Sequence, residues 1–165
     1  MTKRQRTKNK EIIPTVSNTK ILSIDTATNC GWAISREVYG VWKLTPKRDE
    51  SIGMRLVRFR SKLIEIIEGE KINLVVFERP GGAHRGTLIV HSELQGQIKV
   101  VCEERKIPYR GYSSKEIKKF ATGKGNAKKP VMIAAAKEKL NYPGKDDNEA
   151  DALWMLELAK SEYCE

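Results

Sequence analysis

Acidic side chains stand at three separated places in this chain where metal chemistry would want them. Asp25 closes the apolar run Ile21-Leu22-Ser23-Ile24, Glu78 closes Leu74-Val75-Val76-Phe77, and Asp146, Asp147 and Asp151 lie close together farther on. Phosphodiester hydrolysis requires an activated water, a neutralised phosphate and a stabilised leaving oxygen, and two divalent ions about 4 Å apart supply all three. Mg²⁺ is a hard cation that takes oxygen ligands, so carboxylates delivered from separate elements form the appropriate cage. Asp147 and Asp151, four apart, share one face of a helix, and Asn148 and Asp151, three apart, do so nearly as well.

Each acid has a plainer explanation when taken alone. An acid after a strand is ordinary turn chemistry and would account for Asp25. Helix capping, helped by the positive end of the dipole, accounts for one of Asp146 and Asp147. It does not account for Asp151, embedded in Ala150-Asp151-Ala152-Leu153. Nor does turn chemistry explain Glu78, which its apolar run would leave partly buried; a buried carboxylate normally has a cation or a task. Together the acids point to one site.

Elements must bring these residues together. The pattern predicts strands at 20–25, 31–35 and 39–44, forming an antiparallel meander closed by Pro46. From Ser51 the period changes: Ile52, Leu56, Phe59, Leu63, Ile66 and Ile67 make the stripe of an amphipathic helix that Gly69 is expected to end. Residues 72–78 read as a central strand buried on both faces, and Arg79-Pro80-Gly81-Gly82 as a loop. A helix is expected over 87–105, with Leu94, Ile98, Val101 and Cys102 inward. Gly96 in its interior costs about 1 kcal/mol against Ala, which suits a site where a neighbouring element comes close. A strand at 107–112 follows. Ser113 or Ser114 caps a helix through Ala121, Pro130 opens another over 130–140, and a last helix runs over 147–160. The order β-β-β-α-β-α-β-α-α-α implies an α/β domain, a mixed sheet covered by helices, over residues 20–162. Trp32, Trp42 and Trp154 are expected in the core.

Charge points to the partner. The net charge is +10 and the pI near 9.6, a physical argument for a polyanion. Lys3, Arg4, Arg6, Lys8 and Lys10 open a basic, aperiodic segment with Pro14, read as a mobile arm over 1–19. Lys115, Lys118, Lys119, Lys124, Lys128 and Lys129 form a second cluster offset only by Glu116. Any single lysine is solvated surface; two clusters in so short a chain indicate phosphate contact. Cys30, Cys102 and Cys164 have no zinc-site spacing and are read as free thiols. No apolar run approaches the roughly 20 residues of a membrane span, and the N-terminus lacks a signal-peptide centre, so a cytoplasmic protein is expected. His91 reads as surface or structural. His84, in the loop near the presumed site, is a candidate for phosphate contact or water activation.

These segments resemble the RuvC-type Holliday-junction resolvases. Ile21 to Asp25 followed by Gly31-Trp32-Ala33-Ile34 is similar to the family's opening motif, and Val75-Val76-Phe77-Glu78 to its second. Asp147-Asn148-Glu149-Ala150-Asp151-Ala152-Leu153 is similar to its C-terminal helix, and Ile117-Lys118-Lys119 with Gly123 to Lys129 to its DNA-holding segment. The resemblance runs from residue 20 to about 160, its C-terminal motif being the most specific part. It implies a ribonuclease-H-like fold with a mixed five-stranded sheet, Mg²⁺ dependence with Mn²⁺ substituting, a homodimer with two active sites, and paired nicking of four-way DNA junctions. It makes Asp25, Glu78 and Asp151 the metal ligands. The family's fourth ligand falls on Asn148 here, and Asp147, one residue earlier, is favoured instead. Lys118 and Lys129 match phosphate-contacting positions, with Lys119, Lys124, Lys128, Arg79, His84 and Arg85 beside them as DNA-binding candidates. Two features depart from the pattern. The loop from Arg79 to Gly86 lacks the aromatic that many members carry after the Glu, although Arg and His also stack on bases. The basic arm fits small resolvases of phage type.

Three other readings compete for the same residues. Asp25 to Gly31 has the look of a phosphate-binding hairpin of actin-like phosphotransferases, but the chain is too short for two such domains and has no second glycine-rich loop. A non-catalytic DNA-binding module of the same fold would not need acids at all three places. A nuclease for flaps, forks or other branched DNA would use the same chemistry.

Overall fold

The computed structural model describes residues 18–81 and 84–164. The basic arm, as far as residue 17, and Gly82 of the loop after Glu78 lie outside the described residues. β1 (Ile21–Asp25) is the middle strand of a five-stranded sheet ordered β3-β2-β1-β4-β5. It pairs antiparallel with β2 (Asn29–Ala33), and β2 pairs antiparallel with β3 (Tyr39–Lys43). On the other side β1 runs parallel to β4 (Leu74–Glu78), and β4 parallel to β5 (Tyr109–Tyr112). Parallel steps need long crossovers. α1 (Gly53–Glu70) leads from β3 to β4 and α2 (Arg85–Glu104) from β4 to β5; α3 (Ser114–Thr122), α4 (Lys129–Leu140) and α5 (Asp147–Tyr163) follow. The element order and the mixed sheet match the sequence pattern.

Side chains alternate across a strand, and here the alternation builds two cores. Leu22, Ile24, Val75 and Phe77 pack with Phe59 and Leu63 of α1 and Leu94 and Ile98 of α2. Ile21, Leu74, Val76 and Tyr112 pack on the other face with α3, α4 and α5. α5 buries Ala150, Ala152, Leu153, Trp154, Met155, Leu156, Leu158 and Ala159. A helix apolar around most of its girth belongs inside, and each large side chain buried there contributes about 1.5–3 kcal/mol.

Several local expectations are corrected. β2 begins at Asn29 and ends at Ala33, because the amides of Ile34 and Ser35 turn to the Val38 carbonyl at 3.0 and 3.3 Å. β4 begins at Leu74, since the Ile72 amide still closes the end of α1 on the Ile67 carbonyl at 3.0 Å. Gly69 does not terminate α1; Lys71 does, in a left-handed conformation with φ 55°. α2 begins two residues earlier than expected, at Arg85, and α5 continues to Tyr163. Among the described residues no element approaches Gly96: a Cβ there would meet nothing within 4 Å. Trp42 and Trp154 are buried, whereas Trp32 is half-buried and stacks on Trp42 at 5.8 Å. Cys30 and Cys102 are buried free thiols and Cys164 an exposed one. No described helix is long and apolar enough to cross a membrane.

Candidate metal centre

Asp25 follows Ile21 and Ser23 at two-residue intervals, and Glu78 follows Leu74 and Val76. Alternation therefore sends both acids to the face that α5 covers. The β1–β4 ladder ends at Ile24 opposite Phe77, so the acids lie one step beyond it, at the carboxyl ends of adjacent parallel strands. That is where open α/β sheets place their ligands.

α5 reaches these strand ends because of one glycine. Gly31 is the cross-strand partner of Asp25. A Cβ on Gly31 would sit 2.0 Å from the Asn148 carbonyl oxygen and 2.5 Å from its carbon, so only a residue without one lets the helix lie on β2. The buried Ser23 hydroxyl donates to the Ala152 carbonyl at 2.7 Å and fastens the helix to β1 one residue past Asp151. Asp146 is the N-cap, accepting from the amides of Asn148 at 2.8 Å and Glu149 at 3.4 Å. Of the two acids that capping could have explained, Asp146 takes that role and leaves the Asp147 carboxylate for other partners.

The electrostatics tie the four acids into one group. Burial pushes the Asp25 carboxyl well above the usual carboxylate range, and the charges of Asp151, Glu78 and Asp147 add to the rise. Asp151 is pushed up to about 7, first by burial and then by Glu78 and Asp147. Glu78 is raised by burial, opposed by a hydrogen bond from Ser114 and by the charge of Lys118. Lys129 Nζ stands 2.6 Å from Asp147 Oδ2, and its charge also opposes the rise at Asp25 and Asp151. As the side chains stand, no group of three or more Asp, Glu, His or Cys among the described residues is drawn close enough to enclose an ion. The donor set nevertheless fits a hard divalent cation: four carboxylates, one of them buried, with two lysines as the countercharge acting on them.

A cleft of about 280 Å³ opens beside the acids, lined by Glu78, Asp151, Ser114, Ile117, Lys118, Ala127, Lys128, Lys129 and Met132. Lys118, Lys128 and Lys129 thus share one wall system with two of the acids. Lys119 lies elsewhere, in a hollow with Tyr112, Phe120 and Glu162. Lys124 is exposed in the turn between α3 and α4. Arg79 is ion-paired with Glu116 at 3.3 Å, and Glu116 also closes the capping box of α3 with Ser113. His84 and Arg85 are exposed at the start of α2.

Sequence reading missed four polar residues at this centre. Ser114, left free when Ser113 became the cap, bonds the Glu78 carboxylate. Thr26 and Gln95 are buried, and the Gln95 amide donates to the Glu78 main-chain carbonyl at 2.7 Å and to the Thr26 hydroxyl at 3.3 Å. His91 Nδ1 lies 3.4 Å from the same hydroxyl. A signal was available: His91, Gln95, Ile98 and Cys102 fall at four- and three-residue intervals, so Gln95 belongs to the buried stripe of α2 and not to its wet face.

No protein-family model matches the chain. Among solved structures, a Thermus thermophilus RuvC in complex with Holliday junction substrate superposes with a TM-score of 0.69 at 18% identity, covering 88% of this chain and 94% of that one. A second Thermus thermophilus RuvC structure gives 0.68 at 17% identity, covering 88% and 98%. The yeast mitochondrial Holliday junction resolvase Ydc2 gives 0.61 at 14% identity, covering 88% and 79%. The chain therefore has the ribonuclease-H-like fold of RuvC-type resolvases.

Proposed function

We propose that this chain, built on that fold, is a divalent-metal-dependent endonuclease that resolves four-way DNA junctions by paired nicks. The observation that carries the reading is the burial of Asp25 among the charges of Asp151, Glu78 and Asp147. Like charges gathered out of water destabilise a fold unless a cation joins them. Mg²⁺ or Mn²⁺ held by Asp25, Glu78 and Asp151, with Asp147 as fourth ligand, would supply Lewis acidity toward the scissile phosphate and a more acidic water. The protein's own side chains do the rest. Ser114 orients Glu78, and Lys118, Lys128 and Lys129 hold the sugar-phosphate backbone along the cleft. The named substrates of the two resolvases with this fold favour four-way junctions over other branched DNA.

The deciding experiment incubates the purified protein with a synthetic four-way junction, a fork, a flap and plain duplex, with Mg²⁺, Mn²⁺ or chelator. Symmetrical nicks in the junction that need the metal support the reading. Preference for forks or flaps would assign a different branched substrate to the same chemistry, and no cleavage of any of them would end the nuclease reading. Lys118→Ala and Lys129→Ala are expected to weaken junction binding across sequences and to lower the salt slope by about 1 each. An unchanged slope, measured by fluorescence anisotropy from low to moderate salt, would remove them from the DNA path.

Paired nicks call for two centres, and we place the second in an identical copy docked through α2. Leu88, Ile89 and Val100 are 39%, 50% and 48% exposed on that helix. Residues 88, 92, 96 and 100 recur every four positions and share a face, with Ser92 and the open Gly96 allowing a second helix to approach. Gly96→Glu is expected to shift the light-scattering mass from a dimer to the 18.7 kDa monomer. A parent protein that is already monomeric at micromolar concentration would refute this arrangement.

A further inference from the structure

We propose that Gln95 is a positioning residue for the acid cage, tying together from behind the two strand ends that carry Asp25 and Glu78. This rests on the reading of those acids as metal ligands. The β1–β4 ladder stops at the pair Ile24–Phe77, so the strand ends that follow are not paired with each other in it. Gln95 bridges them. It approaches from α2, on the sheet face opposite α5, and is only 4% exposed. Its two amide donors reach the Glu78 carbonyl at 2.7 Å and the hydroxyl of Thr26, the residue after Asp25, at 3.3 Å. Thr26 has no exposed surface, and its hydroxyl also lies 3.4 Å from His91 Nδ1, so the bridge is anchored twice on α2.

Chemistry favours an amide here. The Glu78 carbonyl and the Thr26 hydroxyl both need a donor, a single carboxamide nitrogen supplies two, and neither a carboxylate nor an apolar side chain supplies any. A buried glutamine next to four acids also adds no fifth negative charge. Partners that orient ligands are typically worth about 10–100-fold in metal affinity or activity.

Gln95→Leu keeps the volume and removes the donors, and Thr26→Val removes the shared hydroxyl from the other side. Calorimetric titration with Mn²⁺, without DNA, is compared with the melting temperature in chelator for the parent, both variants, Ile98→Val and Asp25→Asn. The expected result is Mn²⁺ affinity lowered about 10–100-fold by Gln95→Leu and less by Thr26→Val, with junction binding in chelator unchanged. Ile98→Val, a core change on the same helix, is expected to lower the melting temperature and leave Mn²⁺ affinity alone. Parental affinity in Gln95→Leu would overturn the proposal, as would an equal affinity loss in Ile98→Val. If Asp25→Asn binds Mn²⁺ like the parent, the metal-ligand reading itself fails, a result distinct from a normal Gln95→Leu beside a defective Asp25→Asn. Should Gln95→Leu not fold, Thr26→Val decides: affinity equal to the parent's overturns the bridge.

Discussion

Asp25→Asn is expected to abolish junction cleavage while leaving junction binding as tight as before, or tighter. Removing a central ligand should lower the rate about a thousandfold or more, on the order of 4 kcal/mol of transition-state stabilisation. Glu78→Gln and Asp151→Asn are expected to do the same. Asp147→Asn should lose more activity than Asn148→Ala, because Asp147 is the residue whose charge acts on Asp25 and Asp151. A second readout separates this from simple misfolding. Asp25 is 7% exposed and surrounded by like charges, so neutralising it relieves repulsion. Asp25→Asn should therefore melt at a higher temperature than the parent in chelator, by about 2–4 °C for each kcal/mol relieved in a domain of this size. Divalent cation should raise the melting temperature of the parent and not of the variant. Cleavage by Asp25→Asn at the parent rate would remove Asp25 from the mechanism.

The second large effect comes from a residue with no side chain. Gly31→Ala would put a methyl group 2.0 Å from the Asn148 carbonyl oxygen, and the start of α5 must retreat by about 1 Å or more to make an ordinary contact. Overpacking of that kind costs about 1–3 kcal/mol, and a misplacement near 1 Å at a reacting centre can cost about 100-fold in rate. Activity should fall further than the small loss of melting temperature would suggest. Gly69→Ala is the contrast: a Cβ there meets nothing within 4 Å, so it should leave activity alone and stabilise α1 by up to about 1 kcal/mol. If Gly31→Ala cleaves normally, the seating of α5 on β2 does not govern the centre.

The framework of this site could be read from the sequence because it is written in period and punctuation. Strand-end acids after Ile24 and Phe77, and Asp151 among Ala150, Ala152 and Leu153, violate the local pattern, and such violations mark sites. What stayed hidden depends on distances between elements far apart in sequence. Gly31 reads as any glycine of a strand until the Asn148 carbonyl is found against it. Gln95 falls on the buried stripe of α2, yet its task stays hidden until its amide is seen between Glu78 and Thr26. Ser113 and Ser114 are interchangeable as caps on paper, and only the fold gives one to the helix and the other to Glu78. Gly96 shows the reverse error, since the expected close neighbour within the chain is absent among the described residues.

Because α5 supplies Asp147 and Asp151, the order of synthesis has a bearing on safety inside a cell. A ribosome releases the strand-end acids long before the helix that completes their set, and domains fold only when their parts are available. On the proposed function, a nascent or prematurely terminated chain would hold Asp25 and Glu78 without their counterparts and would lack the means to cut DNA. Competence to cut DNA would then appear only in molecules that have finished folding.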